Sequence, residues 1–262
     1  MKKLQLIQVD AFADRPFTGN PAAVMPLQEW LPDEVLQAIA LENNLSETAF
    51  TIPDATGEAD FELRWFTPGL EIKLCGHATL ASGHVLIGER ERIRFRTRKA
   101  GILEVARDGD GYSMSLPAYP PTPQPLPNLV AGLGCVAVET LWHEGRYALI
   151  VLENEAQVRA LRPDFRVLID DGDTMTIATA PGDNSDVVSR VFVPGAGVDE
   201  DPVTGSAHSV LVPYWAARLG RSDAMRFFQA SARGGQLTGR LEGDRVVIGG
   251  KCVTVIEGLM TI

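Results

Sequence analysis

Two short segments of the sequence place polar or reactive side chains beside a glycine, just before an apolar run. In the first, Cys75, Gly76 and His77 lead into ATLASGHVL; in the second, Gly205 and Ser206 lead into AHSVLVPYW. Such runs predict helices, whose first N–H groups are unpaired and carry a partial positive charge. Either segment alone is typical of an ordinary helix cap, Ser206 especially. Together they predict two anion sites suited to a small carboxylate, because glycine also lets a ligand approach the backbone closely.

Three ionisable side chains near these segments are candidates for proton transfer. His77 directly follows Gly76, Asp201 lies four residues before Gly205, and Glu47 lies in NLSETAF between two strand-like stretches. A carboxylate with restricted access to water is suited to proton transfer near neutral pH. Structural roles stay open for both acids: Glu47 as a capping residue at a helix end, and Asp201 as a partner of a helix dipole.

The remaining histidines and the cysteines give weaker signals. His84 and His208 fall inside the predicted helices and are interpreted as packing or surface residues. The three cysteines, which form no C-x-x-C pair, predict neither a disulfide framework nor a zinc site.

An internal repeat organises the chain. Four segments of the first half recur in the second half in the same order, with offsets of 126, 129 and 134 residues among them. The matches are RWFTPG (64–69) with RVFVPG (190–195), GHA (76–78) with GSA (205–207), RFRTRKAG (94–101) with RFFQASARGG (226–235), and DGDGYSMSL (108–116) with EGDRVVIGG (242–250). Collinear matches of this kind indicate a duplication and therefore two similar lobes.

The boundary between the lobes is predicted at 117–128, PAYPPTPQPLPN, where six of twelve residues are proline. Proline fixes φ and lacks the donor that sheets and helices need, so this segment is predicted to be a semi-rigid connection. The lobes would then comprise residues 1–117 and 118–262. The sequence leaves open whether the last strand, about 252–262, stays in the second lobe or pairs with the first.

The local patterns predict an α+β fold. Alternation of apolar and polar residues predicts strands in DFELRWF, GYSMSL and VTVIEGLMTI, and a strand with one solvated face in ERIRFRTRK. Helices are predicted over about 32–42, 77–87 and 206–219, the last with Pro213 as an objection because an interior proline kinks a helix. The expected architecture is two pseudo-symmetric lobes, each a mixed sheet wrapped around a largely apolar helix.

Composition excludes several classes of partner. The chain has 262 residues, 45% of them hydrophobic and 22% charged, and a formal charge of −10. These values are ordinary for a soluble enzyme and argue against binding to nucleic acid or an anionic membrane. There is no apolar run of about 18 residues and no secretory hydrophobic segment at the start, so a cytoplasmic protein is predicted.

Five segments in order resemble the PhzF-like (phenazine biosynthesis) family. They are AFADRPFTGNPAAV, NLSETAF, FTPGLEIKLCGHATLASG, GVDEDPVTGSAH and QASARGGQLTGRL, which together span residue 11 to about 240. The resemblance implies the diaminopimelate epimerase-like fold, with two pseudo-symmetric lobes, a central helix in each and an active site between them. It also implies a homodimer.

The resemblance further implies isomerisation by proton transfer on a small carboxylate-bearing metabolite, without a cofactor or a metal. In this reading the catalytic residues are Glu47, His77 and Asp201. Glu47 is the general acid/base, and His77 and Asp201 hold the polar groups of the substrate and are the candidates to shuttle the second proton. The helix starts stabilise the negative charge that develops, as an oxyanion hole does. The positions that match substrate-binding residues of the family are Asn20 in TGNP, Gly76, Gly205 and Ser206.

The sequence does not favour a mechanism with two opposed thiols. Related epimerases and racemases use two opposed thiols, but only Cys75 stands at such a position; the equivalent place in the second lobe is predicted near Pro202, with no cysteine. Cys75 is therefore interpreted as a small buried residue.

Two other classes of function stay open. A hydrolase or acyl transferase using Cys75 with His77 as base is disfavoured, because residues two apart at a helix start rarely bring sulfur against a ring nitrogen. No third, orienting group is evident for that pair. The other alternative is a non-catalytic binder of small carboxylates. The motifs do not name a substrate.

Overall fold

The computed structural model describes residues 1–262, with eighteen strands, six α-helices and two short 3-10 helices. The strands are β1 (Lys3–Ala11), β2 (Asn20–Pro26), β3 (Glu47–Pro53), β4 (Phe61–Phe66), β5 (Glu71–Ile72), β6 (Arg92–Thr97), β7 (Ile102–Asp108), β8 (Gly111–Pro117), β9 (Thr122–Pro123), β10 (Glu139–His143), β11 (Tyr147–Val151), β12 (Met175–Pro181), β13 (Val187–Val193), β14 (Val198–Asp201), β15 (Met225–Gln229), β16 (Gly235–Glu242), β17 (Arg245–Gly250) and β18 (Cys252–Thr261). The helices are α1 (Asp33–Asn43), α2 (Gly76–Leu86), α3 (Pro127–Leu133), α4 (Glu155–Ala160), α5 (Phe165–Leu168) and α6 (His208–Leu219), with 3-10 turns at Ile169–Asp171 and Pro194–Ala196.

The chain divides into two compact units. Unit 1 consists of Met1–Ser115 and Gly249–Ile262, and unit 2 consists of Leu116–Ile248. The last strand answers the question that the sequence leaves open, because β18 pairs antiparallel with β1 from Lys3–Thr261 to Ala11–Cys252. It therefore belongs to unit 1.

The strands of each unit pair in the same order, which confirms the predicted repeat. In unit 1, β1–β2 is antiparallel, β2–β3 parallel, β3–β4 and β4–β5 antiparallel, β4–β6 parallel and β6–β7 antiparallel. In unit 2, β10–β11, β11–β12, β12–β13, β13–β14, β13–β15 and β15–β16 follow the same sequence of directions. Helices lie in the crossovers that parallel pairing requires, with α2 before β6 and α6 before β15.

The repeated R-x-F-x-P-G motif forms the same ion pair in both units. The Arg64 guanidinium donates from Nε and Nη2 to the two carboxylate oxygens of Glu71, each at 2.8 Å. Arg190 does the same to Glu200, at 2.7 and 2.8 Å. Each guanidinium also lies 5.0 Å from the ring centre of the phenylalanine two residues on. Two parallel bonds and an aromatic face match the planar fork of arginine, so the motif fixes the end of the long strand to the short strand after it.

In each unit the central helix contacts a strand through a glycine. The glycine belongs to the helix in unit 1 and to the strand in unit 2. In unit 1 a Cβ on Gly83 of α2 would lie 2.5 Å from Cγ1 of Val105 on β7. In unit 2 a Cβ on Gly239 of β16 would lie 2.5 Å from Cγ2 of Val212 on α6. Gly83 and Val212 are 129 residues apart and Val105 and Gly239 are 134 apart, so these are equivalent positions of the repeat. Each unit fills the same space with one valine and one glycine.

The predicted helices and strands are mostly confirmed. Helix α1 and helix α2 each lie within one residue of the predicted spans, and the consecutive residues 76–83 are all buried, as expected for an apolar helix enclosed by a sheet. Strand β6 buries Ile93, Phe95 and Thr97 and exposes Arg92 and Arg94, as its alternation predicts.

Pro213 lies inside α6 without ending it. Proline has no N–H, so it leaves unpaired the carbonyl of the residue four positions earlier, Ser209. That carbonyl accepts a hydrogen bond from the backbone N–H of Tyr119 at 2.8 Å. The neighbouring chain therefore satisfies the group that the proline cannot.

The proline-rich segment is more structured than predicted. Thr122 and Pro123 form β9, which pairs with Trp142 and Leu141 of β10, and Pro127 begins α3. Regular structure is possible here because Pro123 and Pro127 occupy positions that need no N–H, a two-residue edge strand and the first turn of a helix.

Candidate active site

Three candidate residues of unit 1 meet at the start of α2. Glu47 is the first residue of β3, Cys75 directly precedes the helix, and His77 lies in its first turn. Strand β3 pairs parallel with β2 in a register that sets Glu47 opposite Ala22. The parallel crossover therefore carries the carboxylate, 30 residues before His77 in the chain, to the helix start.

The His77 ring lies between two partners, one at each nitrogen. Its Nε2 atom is 2.9 Å from Oε2 of Glu47, and its Nδ1 atom is 3.4 Å from Sγ of Cys75. The contact with Glu47 is at ion-pair distance, and its geometry departs from that of an aligned hydrogen bond. Burial of such a pair is costly unless the two groups compensate each other's loss of water.

The Cys75 contact overturns one expectation. Residues two apart at this helix start do bring sulfur against a ring nitrogen, and Glu47 is a third group on the far side of the ring. The backbone of Cys75 is extended, at φ −141° and ψ 113°, as is usual for the residue that precedes a helix. The expectation that Cys75 is buried is confirmed, with 6% of its surface exposed.

Burial and neighbouring charge set the protonation of this cluster. Burial and, after it, the Glu47 charge raise the pKa of the Cys75 thiol to about 11, against opposing effects of His77. Burial by itself lowers the pKa of His77, but Cys75 and Glu47 favour the protonated ring more strongly, so the pKa is raised well above its usual value. At neutral pH the thiol is therefore protonated and the His77 ring is positively charged.

The three side chains have the donor types of a metal site, since one atom from each lies within 4.8 Å of the others. Their arrangement does not suit one ion. Cys75 and Glu47 contact opposite nitrogens of the same ring, and an ion bound through one nitrogen is turned away from the group at the other.

Asn20 lies next to the same cluster along the sheet. It is fully buried as the first residue of β2, and its Oδ1 accepts a hydrogen bond from the Ser46 hydroxyl at 3.0 Å. Ser46 directly precedes Glu47, so Asn20 braces the point at which β3 begins. The structure thus brings together Asn20, Glu47, Gly76 and His77 in unit 1.

The candidates of unit 2 belong to one tightly held segment, 201–206. The Thr204 hydroxyl donates to the half-buried carboxylate of Asp201, and the fully buried amide of Gln229 accepts from the Thr204 N–H at 2.9 Å. Gln229 also donates to the Asp201 carbonyl at 2.7 Å. Thr204 directly precedes the predicted second helix start, whereas Gln229 was not among the predicted site residues. The signal for Gln229 was a polar residue at the end of a buried strand, inside the matched segment QASARGG.

The second helix start differs from the prediction in two ways. Helix α6 begins at His208 rather than at residue 206, because the first bonds run from His208 N to Gly205 O and from Ser209 N to Ser206 O, a tighter 3-10 turn. Ser206 is therefore not the cap of an α-helix. Burial raises the pKa of Tyr147, and the Ser206 side chain only partly offsets the effect.

The repeat also identifies the true counterpart of Cys75, which is Thr204 and not Pro202. The Cys75 carbonyl accepts from the Thr79 hydroxyl at 2.5 Å, and the Thr204 carbonyl contacts Nδ1 of His208 at 3.0 Å. In both units the carbonyl of the residue at this equivalent position pairs with the side chain four residues later in the chain. His208 is thus a packing residue, as predicted, and no thiol stands opposite Cys75 in the repeat.

A protein of two similar α+β units, each with a buried helix that starts at a glycine, has the architecture of the epimerase-like folds. A sequence model of the family described as phenazine biosynthesis-like protein matches residues 9–129 and 135–258. The chain belongs to this family. None of its helices combines the length and apolarity that crossing a membrane requires.

Known proteins of the family are similar over the whole chain. A protein named uncharacterized isomerase from Pseudomonas aeruginosa is 48% identical over 263 residues, covering 98% of this chain and 99% of the relative. The crystal structure of a PhzF family protein from Enterococcus faecalis is 42% identical, covers 100% of both chains and has a TM-score of 0.93. A hydroxyproline epimerase from Agrobacterium vitis, 13% identical with 98% and 92% coverage and a TM-score of 0.62, shares the fold. The predicted fold class is confirmed.

Proposed function

We propose that the protein is a cofactor-independent isomerase that moves a proton on a small carboxylate-bearing metabolite, with Glu47 as the general acid/base. Membership of the family and the name of the similar Pseudomonas aeruginosa protein support isomerisation as the reaction class. Glu47 takes a proton from a carbon next to, or conjugated with, a carbonyl or carboxylate and returns it to another position.

The observation that carries the proposal is the Glu47–His77 pair. The two atoms lie 2.9 Å apart, with only 15% and 6% of their side chains exposed, so a carboxylate and a ring nitrogen are withdrawn from water together. Buried groups of this kind are retained where they serve chemistry. A carboxylate can exchange a proton with substrate there, while the protonated ring stabilises the negative charge that develops.

The start of α2 supports binding of an anion beside this pair. The first turn carries no acidic side chain and begins at Gly76, so its partial positive charge is available to a carboxylate. We assign Gly76, with Asn20 nearby, to substrate binding. For unit 2 the family resemblance assigns Asp201 to catalysis and Gly205 and Ser206 to binding, and these roles stay proposals, as do the homodimer and the cytoplasmic location.

A thiol-dependent acyl transfer has one observation in its favour, the 3.4 Å contact between Cys75 and His77. The thiolate is the reactive form of cysteine, and burial raises the pKa of this thiol to about 11. A nucleophile must also reach its substrate, and Cys75 is 6% exposed. Both properties favour the isomerase. Unchanged turnover after replacement of Cys75 by alanine would remove the thiol mechanism.

Solvent exchange tests the proposal without knowledge of the natural substrate. The purified protein is incubated in D2O with a panel of small cyclic and amino carboxylates, and deuterium incorporation at carbon is followed by mass spectrometry. The wild-type protein is expected to label at least one compound, and Glu47→Gln is expected to reduce the rate by about 100-fold or more.

Glu104→Gln is the matched control, because Glu104 is a partly exposed glutamate of unit 1 that pairs with Arg92. It is expected to label at the wild-type rate. Labelling by Glu47→Gln at that same rate would remove Glu47 from the mechanism. Binding of a carboxylate with no exchange in the wild-type protein would favour the non-catalytic binder.

A further inference from the structure

Cys75 occupies the capping position of α2 without using its side chain as a cap. No side-chain hydrogen bond caps the helix, and the carbonyl of Cys75 accepts from the N–H and the hydroxyl of Thr79. The sulfur lies instead 3.4 Å from Nδ1 of His77. Serine, threonine, aspartate and asparagine are the usual capping residues, so capping does not account for a cysteine here.

We propose that Cys75 is a positioning residue, whose sulfur fixes the orientation of the His77 ring by accepting a hydrogen bond from Nδ1–H, so that Nε2 faces Glu47. The proposal deepens the function proposed above and rests on it only for its consequence in catalysis. The partner of one ring nitrogen determines which state the other nitrogen presents.

The geometry supports this role because the ring is held from both sides in a buried site. His77 and Cys75 are 5% and 6% exposed, so no water competes freely for Nδ1. A protonated thiol keeps its sulfur lone pairs, which accept weakly from Nδ1–H of the imidazolium. Loss of the sulfur would leave Nδ1–H buried without a partner, which disfavours the charged ring.

Eight other ionisable residues lie on α2 and on the strands that pack against it. Strands β1, β2, β3, β7 and β18 pack against α2. Besides Glu47, the ionisable residues of these strands are Lys3, Asp10, Glu104, Arg107, Asp108, Cys252 and Glu257. Helix α2 itself carries one more besides His77, which is His84. The groups with the largest effects on the pKa of His77 are Cys75 and Glu47. Of these two, Cys75 is the one that contacts Nδ1.

The consequence for catalysis follows from the charge. An imidazolium whose Nε2 side faces Glu47 stabilises the enolate-like charge of the proposed reaction, and a neutral or rotated ring does so less. Cys75 would act on the reaction only through His77, without touching substrate.

Nuclear magnetic resonance of the full-length protein, labelled with 15N-histidine, tests the proposal. His77→Gln assigns the His77 signals among the four histidines. Cys75→Ala and Cys75→Val both remove the sulfur, and valine also fills the space. Both are expected to move the His77 titration to lower pH, whereas Cys75→Ser keeps a hydrogen-bonding atom and is expected to stay close to wild type.

Cys252→Ala is the matched control, since this second thiol of unit 1 does not contact His77, and no change in the His77 titration is expected. A wild-type titration in folded Cys75→Val, or the same shift in the serine and valine variants, would overturn the proposal. Because the titration needs no substrate, it stands apart from the exchange assay: loss of activity in Cys75→Val with an unchanged His77 titration would indicate a purely structural thiol. Failure of Glu47→Gln to affect exchange would instead refute the proposed function alone.

Discussion

The carboxylate of Glu47 and the imidazole of His77 are 30 residues apart in the chain and 2.9 Å apart in the fold. The parallel register of β2 and β3 sets the first group, and the start of α2 sets the second. Since these are rigid elements of the same unit, the pair is held without help from a flexible loop. Four sets of substitutions test the roles of individual side chains in this fold.

His77→Gln is expected to lower turnover by about 100-fold, because a neutral amide replaces a ring that is charged at neutral pH. In the wild-type protein burial lowers the pKa of His77, but Cys75 and Glu47 outweigh it and the pKa is raised. The charged form therefore persists above neutral pH, and activity should fall only as pH rises through that raised value. The variant should lose this limb of the pH–rate profile. His84→Gln, on the same helix but bonded to Tyr112 and Thr254, is the control. An identical alkaline limb in His77→Gln would contradict the assignment.

Asp201→Asn tests the proposed contribution of unit 2. Its side-chain oxygen can still accept from the Thr204 hydroxyl, so folding should be retained while the charge is lost. We expect kcat/KM to fall by about 10-fold or more, with an unchanged thermal midpoint. Asp199→Asn, on the same strand but exposed, should match wild type in both measurements. If the two variants have equal activity, Asp201 has no role in the reaction.

His208→Asn should flatten the acid dependence of stability. Burial lowers the pKa of His208 from 6.5 to about 4. As pH falls between those values, the unfolded chain binds a proton that the folded chain does not, so the free energy of unfolding decreases, by about 3 kcal/mol in total. His77 acts oppositely and at higher pH: its contribution is complete below 6.5 and is lost as pH rises through its raised pKa.

Urea unfolding at pH 7 and pH 5 measures this effect. The asparagine amide can donate to the Thr204 carbonyl as Nδ1 does, so the variant should fold, with a smaller difference between the two pH values than wild type. His143→Asn, which removes a half-buried ring stacked on Tyr119, should keep the wild-type difference. Equal pH dependence in all three proteins would show that His208 is not the responsible group.

Exchanging Gly83 and Val105 should reproduce in unit 1 the packing of Val212 on Gly239 in unit 2. Gly83→Val alone places side-chain atoms into Val105, and Val105→Gly alone leaves a cavity, so each should destabilise the protein by about 1–3 kcal/mol. The double variant should be more stable than the sum of the two effects by about 2 kcal/mol. Denaturant unfolding of the four proteins measures the coupling, and strictly additive effects would mean that the two positions do not share one space.

The sequence by itself determined the repeat, the family and most of the elements. Strand β6 and helices α1 and α2 lie where periodicity places them, because alternation and helical spacing are local properties of the chain. Glu47, His77 and Asp201 were identifiable as candidates for the same kind of reason, since each belongs to a short motif beside a predicted element.

Only the tertiary structure decided which side chains meet. The sulfur of Cys75 lies against His77, although its spacing argued otherwise, and Gln229 holds Thr204 from another strand. A sequence pattern considers each position alone, so it also does not predict that valine and glycine change places between the two units. Such contacts depend on strand register and on how an element packs, and these are set by the fit of many distant residues at once rather than by any local period.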